Sequence, residues 1–142
     1  TQASKILITH ELRYELGVGD YRLPGGKVFD TLTEYLEFLK TGEDIIGPAT
    51  KAAIKEARQE AGIIVENIKF LAKSVCGATV VWDLFYFVVD NFSLAESQSL
   101  EDGETIEINW VSLKEAEEMA LSDKMKDERS AAILLRYLHS LS

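Results

Sequence analysis

The stretch KAAIKEARQEAGII (residues 51–64) predicts a helix that ends at a glycine and carries two glutamates on one face. Glu56 and Glu60 are four residues apart, and like charges at this spacing repel each other by about 0.2–0.5 kcal/mol. Carboxylates near a helix C-terminus also oppose the macrodipole, at a cost of about 0.3–1 kcal/mol each. This crowding indicates a bound cation, because two such carboxylates can share a hard metal ion. On spacing alone the favoured interpretation is a solvated charged face that includes Lys55 and Arg58, since such faces are common, and the upstream glycines at 25 and 26 shift the preference toward the cation.

Helices and strands are predicted on both sides of this stretch. Alternating and β-branched segments predict strands at KILITHEL (5–12), NIKFLAKSV (67–75), TVVWDLFYFVVDNF (79–92) and ETIEINWVSL (104–113). Helical spacing of apolar residues predicts helices at DTLTEYLEFLKTG (30–42), PATKAAIKEARQEAG (48–62), SLKEAEEMAL (112–121) and DERSAAILLRYLHSL (127–141). GVGDYRLPGGK (17–27) is expected to be a loop.

The helix ends carry recognisable signals. Asp30 is expected to be the N-cap of the first helix, and Gly42 its stop. Pro48 is expected at the first position of the second helix, and Gly62 at its C-cap. The order of strands and helices predicts one α/β domain over residues 1–142, with a mixed sheet in a layered arrangement. The very apolar strand after Thr79 is expected to be central and covered on both faces.

Composition excludes several classes of partner. The formal net charge of −9 disfavours a nucleic-acid backbone or an anionic membrane as the main partner. A small anionic substrate stays possible where a divalent metal supplies positive charge. Cys76 is the single cysteine, so no internal disulfide can form, and a buried apolar role is favoured over a nucleophile. A cytoplasmic location is expected, since neither a membrane-spanning run nor a signal-peptide pattern is recognised.

Two segments together resemble the Nudix box, G-x5-E-x7-R-E-U-x-E-E-x-G-U, where U is a bulky aliphatic residue. These segments are RLPGGKV (22–28) and KEARQEAGI (55–63). The matching positions, in order, are Gly26, Lys55 for the arginine, Glu56, Ala57, Gln59, Glu60, Gly62 and Ile63. The resemblance implies an α/β/α sandwich with a mixed sheet, in which a loop–helix–loop holds Mg²⁺ or Mn²⁺. The implied metal-binding residues are Gly25, Glu56, Gln59 and Glu60.

The sequence departs from that box at three points. Leu32 stands where the first glutamate is expected, and eleven residues separate Glu43 from Lys55 where the family has seven, so TLTEYLEFLK (31–40) is interpreted as an inserted helix. Gln59 replaces a metal-ligating carboxylate, which should lower metal affinity or metal count. Lys55 replaces an arginine and cannot form a bidentate ion pair.

A second resemblance concerns SLEDGETIEINWVSLKEAEEM (99–119), which is similar to the late segment of ADP-ribose pyrophosphatases. In that group an acidic loop usually supplies the catalytic base or a further metal contact. The resemblance implies a catalytic set of Glu56, Glu60 and Glu104, with Glu101 and Asp102 as other candidates. An acidic surface turn is the competing interpretation. A homodimer is expected by analogy with that group.

The sequence also offers candidates for contacts to substrate. These substrate-binding candidates are Gly26, Lys27, Arg22 and Asp83. Asp83 interrupts an apolar strand, so it either contacts substrate or pairs with Lys73 or Arg22.

The function that the resemblance implies is metal-dependent hydrolysis of a nucleoside diphosphate linked to another group, with ADP-ribose or another nucleoside diphosphate sugar as the leading substrate. The alternative is a weak or inactive Nudix-like domain that binds a nucleotide metabolite as a sensor. Gln59 and the interrupted box favour the sensor, whereas Glu56, Glu60 and the acidic loop favour the enzyme.

Overall fold

The computed structural model describes residues 4–13, 18–75, 83–100 and 105–141. The elements, in chain order, are β1 (Lys5–Arg13), β2 (Val18–Arg22), α1 (Leu32–Thr41), α2 (Ile46–Ala61), β3 (Ile63–Ser74), β4 (Leu84–Leu94), β5 (Ile106–Ser112), α3 (Leu113–Leu121) and α4 (Glu128–Ser140). The described parts of Thr1–Pro24 and Ser99–Ser142 form one compact unit, and Gly25–Gln98 form a second. The predicted mixture of helices and strands is confirmed.

The first unit is a three-stranded antiparallel sheet, ordered β2-β1-β5, with α3 and α4. Its core contains Ile8 of β1, which is fully buried, and Ala116 of α3, which is also fully buried. Small residues on the two helices let them approach the sheet closely, and Val111 and Leu134 fill the space between. The apolar alternation of β1 and the helical spacing of α4 therefore account for this core.

β2 corrects the expected loop at residues 17–27, because Val18–Arg22 form a strand. It pairs antiparallel with β1, and the rings of His10 and Tyr21 stack across the pair with centroids 4.4 Å apart. A Cβ at Gly19 would overlap the His10 ring, so glycine here serves close packing of the strands rather than a turn.

The second unit contains α1, α2 and the antiparallel pair β3–β4. Within the described residues β4 has β3 as its one neighbouring strand, and none of its side chains is fully buried. The expectation of a central strand covered on both faces is therefore wrong for Leu84–Leu94. Its aromatic side chains instead pack across the pair, as Phe87 does edge-on against Phe70 at 5.7 Å.

The helix starts differ from the sequence expectation, whereas the stops agree. Thr31, not Asp30, is the N-cap of α1, because its side chain accepts a hydrogen bond from the backbone N–H of Glu34. α2 begins at Ile46, so Pro48 is its third residue, where the missing N–H has no intrahelical acceptor anyway.

Both helices end where predicted. Gly42 and Gly62 have φ values of 70° and 66°, the left-handed conformation that favours glycine at a C-cap. The backbone N–H of Ala95 then donates to the carbonyl of Gly62 at 2.8 Å, which fixes the turn between α2 and β3.

The described strand pairs β1–β2, β1–β5 and β3–β4 are all antiparallel, so the parallel part of the expected mixed sheet is not among the described residues. Antiparallel pairing suits strands such as β1 and β5, which cover a core on one face. Among the described helices, none combines the length and apolar character needed to cross a membrane.

Candidate active site

The last turns of α2 place two carboxylates against the Gly25–Gly26 turn. The backbone N–H of Gly25 donates a hydrogen bond of 3.0 Å to Oε2 of Glu60. A Cβ built on Gly26 would overlap Oε1 and Cδ of Glu56 and would lie 2.9 Å from its Cγ. Gly25 and Gly26 therefore contact the two acids, and a side chain at position 26 would force either the Glu56 side chain or the backbone to shift.

The two positions of the turn differ in their surroundings. A Cβ on Gly25 would meet nothing within 4 Å, and neither Gly25 nor Gly26 has a positive φ. The demand for glycine at position 26 is thus steric, and it comes from the side chain of Glu56. Glycine at position 25 is not required by space or by backbone conformation.

Both carboxylates are half-buried at the end of α2. A hydrogen bond from a backbone N–H to a carboxylate is charge-assisted, so the Gly25 bond stabilises the ionised form of Glu60 in this position. An ionised carboxylate has about four lone-pair sites, so this bond is compatible with a cation on the same group. Part of the electrostatic cost of placing acids here is therefore offset by the loop itself.

The segment after β4 also contacts the end of α2. Arg58 donates through Nη1 to the carbonyl of Ser97 at 2.9 Å, and the side-chain amide of Gln98 donates to the carbonyl of Glu60. A carbonyl in the last turn has no intrahelical donor, so Gln98 satisfies a group that would otherwise need water. Arg58 places a positive charge in the last turn, where it opposes the negative end of the macrodipole.

Gln59 is half-buried beside Glu60, and within the described residues its side chain has no hydrogen bond. On α2 Gln59 lies roughly 60° around the helix from Glu56, on the side away from Glu60. Its orientation toward a cation stays a prediction.

The two carboxylates fit a hard divalent cation. Mg²⁺ in proteins is commonly held by one or two carboxylates together with waters and substrate phosphates. Within the described part of the chain, no group of three or more His, Cys, Asp or Glu side chains is placed to hold a metal. Glu56 and Glu60 can each supply carboxylate oxygens to a cation of this kind. Glu101, Asp102 and Glu104 lie outside the described residues.

Two further predicted substrate-binding residues, Lys27 and Asp83, differ in their contacts. Lys27 is exposed and follows Gly26 directly. Asp83 forms an ion pair with Lys73, whose Nζ lies 3.3 Å from Oδ2 of the aspartate. This ion pair is one of the alternatives to substrate contact expected from the sequence. Oδ1 of Asp83 is buried and has no hydrogen-bond partner among the described residues. No described contact joins Asp83 to the Gly25–Gly26 turn.

Arg22 lies on β2 in the first unit. Its Nη1 is 2.7 Å from Oε2 of Glu11, and its Nε is 3.6 Å from Oδ2 of Asp20. The carboxylates of Glu11 and Asp20 compensate the positive charge of Arg22, so no substrate anion is needed to pair with it. The structure thus brings together Gly25, Gly26, Glu56 and Glu60 from the predicted set, and it places Arg22 and Asp83 in ion pairs.

Two contributors were not foreseen from the sequence. Gln98 is 38 positions away from Glu60 along the chain, and no local pattern marks it as a helix cap. Ser97 contributes only its carbonyl, which any residue could supply. A basic residue in a last turn is a recognised signal for Arg58, but its acceptor is set by tertiary structure.

Comparison with known proteins adds three findings. A family model described as NUDIX domain matches residues 2–135. A solved structure from a structural and functional study of MutT from the psychrophilic fish pathogen Aliivibrio salmonicida and the mesophile Vibrio cholerae is similar to this chain, with a TM-score of 0.56 and 19% identity. The match covers 94% of this chain and 87% of that one, and at this identity it concerns the fold alone. No curated protein sequence matches the chain.

Proposed function

The chain belongs to the NUDIX domain family, and from this premise we propose that it is a pyrophosphohydrolase. Its substrate is a nucleoside diphosphate linked to another group, and water attacks one of the two phosphorus atoms. The observation that carries the proposal is the contact of the Gly25–Gly26 turn with Glu56 and Glu60. Two carboxylates in contact with paired glycines provide oxygen ligands beside backbone that a phosphate can approach closely.

Glu56 and Glu60 would hold Mg²⁺ or Mn²⁺, with Gln59 as a neutral third ligand. When bound, such an ion neutralises the charge on the phosphates and orients the attacking water. The chain's own part is to fix the two carboxylates, and the hydrogen bond from Gly25 and the Gln98 contact at the helix end do so.

We assign the proton transfer to the acidic loop at residues 101–104. Glu104 would accept a proton from the attacking water as general base. ADP-ribose is the leading substrate, supported by the similarity of residues 104–108 to ADP-ribose pyrophosphatases. Its hydrolysis adds one water across the pyrophosphate link and gives AMP and ribose 5-phosphate.

The homodimer and the cytoplasmic location expected from the sequence are part of the same proposal. Light scattering on purified protein tests the first, and cell fractionation tests the second. A monomer in light scattering would leave the hydrolysis proposal intact, because both carboxylates and the turn belong to one chain.

The rival function is nucleotide binding without turnover, and the neutral Gln59 favours it. A turnover assay separates the two functions. Purified protein is incubated with Mg²⁺ or Mn²⁺ and a panel of nucleoside diphosphate derivatives, and products are separated by ion-exchange chromatography. Hydrolysis that disappears in Glu60→Gln supports the enzyme. Tight nucleotide binding with no turnover under either metal contradicts it.

The matched control is Glu37→Gln. Glu37 is an exposed residue of α1, and the substitution removes the same charge from a helix. Turnover should persist in this variant. Equal loss in both variants would mean that net charge, not the carboxylate at position 60, sets activity.

A further inference from the structure

A shallow groove runs along the N-terminal half of α2, beside the segment that follows the glycine turn. Its volume is about 240 Å³, and the side chains of Lys27, Lys51 and Lys55 line it together with one carboxylate, Asp30. Ala52, whose side chain is a single methyl group, also lines the groove between the two lysines of α2. We call this feature the lysine groove.

Three lysines against one aspartate make the lysine groove positive on a chain whose formal net charge is −9. Lys51 and Lys55 are one helical turn apart, where like charges repel. Within the described residues none of the three lysines forms an ion pair, whereas Lys73 pairs with Asp83. The structure therefore concentrates uncompensated positive charge at this place.

The lysine groove adjoins the two carboxylates. Lys27 follows Gly26, which lies against Glu56, and Lys55 directly precedes Glu56 in α2. With 3.6 residues per turn, Lys55 lies roughly 100° around the helix from Glu56. The lysine groove is therefore next to the acids through Lys27 and Lys55, whereas Lys51, nine residues before Glu60, lies on roughly the opposite side of α2 from that acid.

We infer that the lysine groove binds a phosphate group separate from the diphosphate that Glu56 and Glu60 serve. A phosphate carries up to two negative charges and several strong acceptor oxygens, and a lysine ammonium binds it as a point charge. Two sources share this chemistry, a further phosphate on the substrate itself and free inorganic phosphate. The first source rests on the proposed function, whereas binding of phosphate to the groove does not require turnover.

The first experiment measures binding without catalysis. Inorganic phosphate is titrated into the protein, and the dissociation constant is read from amide shifts in ¹H–¹⁵N spectra. Lys51→Gln combined with Lys55→Gln should weaken binding at least tenfold. Lys40→Gln combined with Lys69→Gln removes the same charge from exposed lysines outside the groove and should leave binding within twofold.

Lys51→Arg combined with Lys55→Arg keeps the charge and should restore binding, which separates loss of charge from loss of structure. Equal weakening in the groove variant and the control would overturn the inference. Strong binding that persists in the glutamine variant would also overturn it.

The second experiment identifies the source of the phosphate. The specificity constants kcat/KM are compared for three compounds. ADP-ribose carries no phosphate beyond the diphosphate, ADP-ribose 2′-phosphate carries one on the nucleoside, and ATP carries one at the end of the phosphate chain. If the substrate supplies the phosphate, the glutamine variant lowers kcat/KM for one phosphate-bearing compound relative to ADP-ribose at least fivefold. If free phosphate is the ligand, the titration changes and these ratios do not.

The two proposals fail separately. No hydrolysis of any compound, with groove-dependent phosphate binding, rejects the enzyme and retains the lysine groove. In the opposite case hydrolysis depends on Glu60, but phosphate binding and the kcat/KM ratios are unchanged in the glutamine variant. This result rejects phosphate binding by the lysine groove and retains the enzyme.

Discussion

Gly25 and Glu60, 35 positions apart in the chain, are joined by a backbone N–H that donates to a carboxylate oxygen at 3.0 Å. Between them lies the whole of α1 and most of α2. The bond fixes the beginning and the end of this long segment against each other. Glycine and acid are therefore in direct contact although α1 lies between them in the sequence.

Gly26→Ala should reduce turnover at least tenfold while Gly25→Ala retains most of it. A methyl group at position 26 overlaps the carboxylate of Glu56, so either the acid or the turn must move, whereas position 25 has open space. Both variants should keep an unfolding midpoint close to that of the parent chain, because Gly25 and Gly26 are exposed. Steady-state kinetics and thermal unfolding measure the two effects, and equal activity in the two variants would contradict the close approach.

Gln59→Glu should raise affinity for Mg²⁺ or Mn²⁺, because a carboxylate adds a negatively charged oxygen ligand close to the two existing acids. Isothermal titration with the metal alone gives the dissociation constant. Asn67→Asp adds the same charge on the exposed surface of β3 and serves as the control. If both variants bind metal as the parent does, position 59 does not face the cation.

Gln98→Ala should lower the free energy of unfolding by about 1 kcal/mol, because it removes the side-chain donor from the carbonyl of Glu60. Urea unfolding followed by circular dichroism measures the change. Ser97→Ala is the matched control, since the backbone carbonyl that accepts from Arg58 is kept. A larger loss in the control than in Gln98→Ala would mean that the helix end is not held in this way.

Thr31→Ala should speed hydrogen exchange of the first amides of α1, since losing an N-cap acceptor costs a helix about 1 kcal/mol. Asp30→Ala should leave that exchange unchanged, because the hydroxyl of Thr31 accepts from Glu34. The reverse result would restore Asp30 as the cap. Global stability should hardly respond in either variant, because α1 has no buried residue.

Local signals in the sequence identified the helices and their stops, since a glycine in the left-handed conformation is needed at positions 42 and 62 whatever the surroundings are. The helix starts were harder, because several residues near Thr31 and Ile46 could cap a helix and tertiary contacts select among them. β2 was missed for a related reason. Its glycine indicated a turn, but the ring of His10 on the neighbouring strand determines the need for glycine at position 19.

The candidate site was predicted to the extent that it depends on helical spacing. Glu56 and Glu60 share a face because 3.6 residues make a turn, and the glycine turn was expected near them. Contacts from residues distant in sequence, such as Gln98 to Glu60 and Glu11 to Arg22, are set by the packing of separate elements and leave no periodic trace. The lysine groove also leaves no periodic signal in the sequence, because the path of the chain after Gly26, not helical spacing, brings Lys27 beside Lys51.

The exposed position of α1 has a practical consequence. The helix buries none of its side chains, and the rings of Tyr35 and Phe38 contact Phe29 just before it. A foreign segment inserted at its end should therefore disturb the rest of the unit little. A fluorescent reporter introduced between Leu39 and Glu43 would lie at the C-terminal end of α1, in the same unit as Gly25 and Gly26. A change in its fluorescence on addition of nucleotide would report the proposed binding, and no side chain of α1 belongs to the buried interior.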